Sequence, residues 1–121
     1  MENGRIIRGV GSFYDVLLSG GKTVRTQARG RFRKNQITPL VGDLVSVSPQ
    51  SRGHWSIEEI LPRKNQLIRP PVANIDQMLI VLSAGLPEPD FLLADKLILA
   101  CVLSSIRPVI VLNKTDLSET I

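Results

Sequence analysis

The sequence predicts two folds in tandem: a small β barrel over residues 1–69, then, after a linker at 70–74, the first βαβ unit of an α/β domain over 75–121. Three observations carry that reading. Short, alternating, strand-like stretches separated by turn residues fill the first half. Arg69-Pro70-Pro71 denies the chain two backbone donors where the composition changes. In the second half, two aliphatic runs, 78–82 and 109–112, flank an apolar stretch of helical length.

In order, residues 6–18 read as one long apolar-rich strand kinked at Gly9 and Gly11, ending at the hairpin turn Ser19-Gly20-Gly21-Lys22. Residues 23–32 alternate, with Val24, Ala28 and Phe32 interleaved among Arg25, Arg29, Arg31 and Arg33, which gives a strand with one wet, basic face. Loop is expected at 35–38 and a turn at 39–42. Strands follow at 43–48 and 55–61, the latter stopped by Pro62. Four to five strands without a convincing helix point to an OB-like or SH3-like barrel. Beyond the prolines, 76–84 suits a strand buried on both faces, Asp90 suits a helix N-cap, and 91–104 suits the helix. A parallel strand then ends at Leu112. That helix is apolar on nearly every side, so one βαβ unit cannot cover it. The expectation is a chain cut short at Ile121 or docked onto a partner.

Composition narrows the classes. With 121 residues and 43% hydrophobic content the chain is globular rather than disordered. Cys101 and His54 are single, so no internal disulfide and no structural metal site are expected; Cys101 reads as a core thiol and His54, beside Trp55, as a strand-surface residue. The N-terminus lacks a basic-then-apolar secretory pattern, and Asp95 and Lys96 interrupt the longest apolar stretch, so a cytoplasmic protein with no membrane segment is expected. Charge is split: residues 1–70 carry 12 Lys and Arg against 5 Asp and Glu, whereas residues 71–121 carry 3 against 6. Five cations between Arg25 and Lys34 (Arg25, Arg29, Arg31, Arg33, Lys34) have no acidic residue among them. Guanidinium groups along one strand can bridge successive phosphates, so the barrel is expected to bind RNA, chiefly through its backbone.

The second half ends on Asn113-Lys114-Thr115-Asp116. At the end of a buried strand this reads as a guanine-recognition corner. The Asp116 carboxylate can accept from guanine N1-H and N2-H2 together, and adenine would leave buried polar groups unpaired. Asn113 can brace O6 or N7, and the Lys114 stem can lie along the base. No phosphate loop precedes the motif. Gly21-Lys22-Thr23 matches only the end of that signature: its first glycine falls at Val16, and strand pattern follows on both sides. Gly9-Val10-Gly11 is read as a bend in a barrel strand rather than a dinucleotide fingerprint.

Several ordered blocks, 30–35, 37–43, 67–77 and 111–117, together resemble the circularly permuted GTPases of small-ribosomal-subunit maturation, the ribosome small-subunit-dependent GTPase A family. The resemblance implies an N-terminal OB-fold that helps bind small-subunit (16S-type) rRNA, followed by a circularly permuted P-loop GTPase domain whose guanine motif precedes its phosphate loop. It further implies GTP or GDP with Mg2+, zinc in a C-terminal segment, coupling of GTP hydrolysis to late assembly of the 30S subunit, and a monomer. On this likeness Asn113, Lys114 and Asp116 carry guanine specificity. The chain stops five residues after Asp116, so it is expected to be an N-terminal fragment, without a Mg2+ site and inactive alone. The rival expectation is a non-enzymatic RNA-binding OB-fold module.

Overall fold

In the computed structural model, which describes residues 1–28, 37–85 and 88–113, the chain divides into two units, Met1–Asn74 and Ile75–Ile121. The first is a closed barrel of β1 (Glu2–Val10), β2 (Phe13–Leu18), β3 (Thr23–Ala28), β4 (Leu44–Pro49) and β5 (Trp55–Ile60), in the order β1-β2-β3-β5-β4. β1 closes the ring by pairing with β4, and β3 pairs in parallel with β5. This is the OB-fold arrangement, a five-stranded Greek-key barrel. Alternation fills its interior: Ile6, Val16, Leu18, Val24, Val45, Val47 and Ile57 are buried together. Thr26, also buried, donates its hydroxyl to the Tyr14 carbonyl at 2.9 Å, which satisfies an otherwise costly polar group.

One element differs from expectation. Residues 6–18 are not a single kinked strand but a hairpin, with Val10 paired to Phe13 across the two-residue turn Gly11-Ser12. Gly11 has φ 60°, as the primed turns of tight hairpins require. The reversal was masked because apolar residues run up to both sides of a Gly-Ser pair. The bend in β1 falls instead at a register shift between Ile6 and Arg8, where an extra residue turns the strand around the barrel. The turn after β2 is as expected: Gly21 N–H donates to Leu18 O at 2.9 Å and Leu18 N–H to Lys22 O at 2.8 Å. Lys22-Thr23 therefore belongs to a β-hairpin, not to a phosphate loop.

The segment after β5 returns to the barrel through a buried ion pair. Asp43 is 0% exposed, and Arg63 grips it with Nε to Oδ1 at 2.7 Å and Nη2 to Oδ2 at 2.8 Å. The Leu40 amide donates to the same carboxylate at 2.7 Å. The hydrogen bonds to Asp43 hold the Arg63 guanidinium above its ordinary pKa, against the opposing effect of partial burial. Two short strands, β6 (Gln66–Leu67) and β7 (Val72–Ala73), pair with each other, and the Ala73 amide donates to Val41 O at 2.9 Å. The Asn74 side chain ties the same seam, accepting from Lys64 N at 2.9 Å and donating to Gly42 O at 3.0 Å. Gly42 has φ 97°, and a Cβ there would stand 2.0 Å from the Ala73 carbonyl oxygen. Only glycine permits both that conformation and that approach.

In the second unit β8 (Gln77–Ser83) and β9 (Arg107–Asn113) pair in parallel from Gln77↔Arg107 to Ser83↔Asn113, joined through α1 (Phe91–Leu103). The Asp90 side chain accepts from Leu93 N at 3.0 Å, the N-cap expected. Ile80, Ala94, Cys101 and Ile106 are buried. Cys101, 3.6 Å from the Met78 sulfur, is the core thiol the sequence suggests. β8 is not buried on both faces, because Leu79 and Val81 are each 59% exposed. On the helix Phe91, Leu92, Leu99, Val102 and Leu103 are likewise exposed. A pair of strands and one helix offer one sandwich layer, too little for so many apolar side chains.

Candidate guanine and RNA sites

Asn113 is the last residue of β9. The parallel pairing sets it beside Ser83, the last residue of β8, and Asn113 O accepts from Ala84 N at 2.9 Å. Both strands therefore end on the same edge, the carboxyl edge at which open α/β sheets bind ligands. Asn113 is exposed there. Lys114 and Asp116 lie outside the described residues. The Asn113 position follows from β-branched and aliphatic residues at 109–112, which hold the strand in line with β8 until the polar tetrapeptide ends the run.

Of the expected RNA contacts, Arg25 lies on the outer face of β3 and Arg29, Arg31, Arg33 and Lys34 lie outside the described residues. Arg25 pairs in register with Asp15 on β2, and its Nε stands 3.4 Å from Asp15 Oδ1 with the guanidinium side chain 71% exposed. An ion pair so exposed contributes little stability and leaves the cation open to exchange. Arg25 also lines a groove of about 440 Å³ with Phe13, Lys22, Gln27, His54 and Trp55. Lys22 Nζ sits 6.0 Å from the centroid of the Trp55 ring. In the sequence Lys22 is a turn residue and His54 a strand-surface residue. They meet because β3 and β5 are parallel neighbours, with Thr26 opposite Trp55. Local spacing carries no signal of that pairing.

Among the described residues no group of three or more His, Cys, Asp or Glu could hold a metal ion. Among the same residues no helix is long and apolar enough to cross a membrane.

Comparison with known proteins gives the family. The RsgA N-terminal domain family matches residues 3–56, and the RsgA GTPase family matches residues 60–120. The chain is 47% identical over 116 residues to the small ribosomal subunit biogenesis GTPase RsgA of Caldanaerobacter subterraneus subsp. tengcongensis, covering 96% of this chain and 39% of that protein. It is 47% identical over 118 residues to the protein of the same name from Latilactobacillus sakei subsp. sakei, covering 97% and 39%. Two solved structures share the fold. The crystal structure of YloQ, a circularly permuted GTPase, has a TM-score of 0.80 at 39% identity, over 99% of this chain and 43% of that one. YjeQ from Thermotoga maritima has a TM-score of 0.82 at 31% identity, over 98% and 43%. The chain thus spans about two fifths of the relatives it matches, 39% of each. An OB-fold barrel, a parallel βαβ unit ending on Asn113 and both family matches agree that this chain belongs to the RsgA family of circularly permuted GTPases.

Proposed function

We propose that the chain works in biogenesis of the small ribosomal subunit, its barrel meeting rRNA and Asn113, Lys114 and Asp116 selecting guanine. The observation that carries the reading is the parallel register of β8 and β9, which sets Asn113 at the carboxyl edge of the pair as the first residue of the tetrapeptide. Asp116 then accepts from N1-H and N2-H2 of the base, as its carboxylate chemistry allows. The basic series Arg25, Arg29, Arg31, Arg33 and Lys34 serves the barrel's phosphate contacts. The nucleotide is GTP or GDP, held with Mg2+ by parts of the family's GTPase domain beyond these residues. The setting is the cytoplasm, and the chain acts as a monomer on the ribosomal particle. The apolar side chains exposed on α1 and β8 fit a face that further GTPase-domain structure covers.

The test is displacement of a fluorescent GDP from the purified chain. GDP competes and ADP does not, by a margin of about 5- to 150-fold if a mismatched base strands one buried polar group. Asp116→Asn exchanges one acceptor for an amide donor, and so moves preference from guanine toward xanthine, whose C2 carries an acceptor. ADP competing as well as GDP, or an unchanged preference in D116N, overturns the guanine assignment. No GTP turnover is expected from the chain alone; measurable hydrolysis overturns that expectation.

A further inference from the structure

We propose that the groove between the β2–β3 hairpin and the start of β5 takes one unpaired base of single-stranded RNA against Trp55, with Lys22 and Arg25 on the flanking phosphates. The inference rests on the barrel being an RNA-binding surface and names the form of RNA it takes.

The groove, about 440 Å³, lies within the range of sites that enclose small ligands, roughly 300–1,000 Å³. Its floor is aromatic. Trp55 is partly buried, packing against the barrel core while lining the groove. Its flanks are cationic. Lys22 lies over the ring at 6.0 Å, a distance that leaves the ammonium loosely held and free to turn to a phosphate. Arg25 lines the groove as well, and its exposed 3.4 Å contact with Asp15 is weak enough to be exchanged for a phosphate. Gln27 and His54, both exposed and both lining the groove, add hydrogen-bonding groups to its wall. An aromatic platform with cations alongside suits single strands, whose bases expose their π-faces. A duplex hides those faces in its stack and would present only backbone to the groove. An acidic peptide would engage the cations but leave the aromatic floor without a planar partner.

The chain has a single tryptophan, so the proposal has a direct optical readout. The 121-residue chain is titrated with a short oligouridylate, with an RNA duplex of the same length and with a polyglutamate peptide, following Trp55 fluorescence and binding in parallel. Oligouridylate is expected to quench Trp55 and to bind at least about tenfold more tightly than the duplex, since base–aromatic stacking is available only to the single strand. Lys22→Ala and His54→Ala, at exposed positions outside the core, are expected to weaken the single strand several-fold without lowering the urea midpoint of the free protein. Trp55→Phe retains part of the preference and Trp55→Leu loses it. Equal binding of both RNAs with no quenching overturns the groove while leaving the barrel as an RNA-binding surface. Failure of both RNAs to bind overturns both. Polyglutamate quenching as strong as that of RNA overturns RNA as the occupant.

Discussion

Arg63→Ala should make the barrel markedly easier to unfold, and the geometry says by how much. The substitution removes both bonds to Asp43, at 2.7 and 2.8 Å, and those to Thr38 O at 2.9 Å and Gln66 Oε1 at 2.6 Å. Asp43, 0% exposed, is left with the Leu40 amide as its remaining charge-stabilising donor among these contacts. Breaking a buried pair by deleting one partner costs about 3–5 kcal/mol. The Arg63 side chain is itself 21% exposed, so water can reach the carboxylate once the guanidinium is gone, which favours the lower end, about 3 kcal/mol. For a domain of this size that corresponds to a fall of about 12–24 °C in Tm. Urea denaturation followed through Trp55, the single tryptophan, measures it on the barrel itself. A double-mutant cycle with Asp43→Ala should show coupling of at least about 1 kcal/mol, because the two groups share one set of hydrogen bonds. A loss below about 1 kcal/mol for Arg63→Ala would refute the reasoning, since that is the range of an exposed pair.

Other outcomes follow from the same structure. Gly42→Ala places a Cβ 2.0 Å from the Ala73 carbonyl at φ 97°, so it should destabilise the barrel by more than about 2 kcal/mol, read by the same urea titration; near-neutral behaviour would show that the seam between 41–42 and 72–74 yields easily. Reversing charge at Arg31 and Arg33 should weaken RNA association and flatten its dependence on salt, measured by binding across a salt series; unchanged slopes would remove these residues from the phosphate contacts. Arg63 has a raised folded-state pKa, so its contribution is fully present below the ordinary arginine range and is lost only as pH climbs through the higher folded value. Stability from neutral to mildly alkaline pH should therefore be the same in wild type and Arg63→Lys after subtraction of their constant difference; a divergence across that interval would contradict it.

Much of this was legible in the sequence because it is local. The alternation that makes β4 and β5 and the Asp90 cap each report on their immediate neighbours, and the structure places them within a residue or two of expectation; of the strand expected at 23–32 it describes Thr23–Ala28, and the remainder lies outside the described residues. The family blocks supplied what locality could not, the order of the parts. Two things escaped. The Gly11-Ser12 turn lacked the Asn-Gly signature that marks a tight hairpin, and so 6–18 read as one strand. The groove joins Lys22 to Trp55 across a parallel pairing, and nothing in a spacing of about thirty residues foretells that contact. Similarly Asp43 looks like the start of a strand, and only the return of Arg63 makes it the buried end of an ion pair.

The parallel seam between β3 and β5 has a further meaning for the life of the chain. A hairpin can form as soon as its two strands have been synthesised, but this seam requires β4 to be laid down and β5 to cross back before Thr26 can find Trp55. Such distant pairings form late, after the local ones have paid the entropy of closure. The proposed RNA groove spans that seam, so a chain in which it has not formed has cations but no platform. On that proposal, affinity for single-stranded RNA reports that β5 has joined β3, which no hairpin of the first three strands can supply alone.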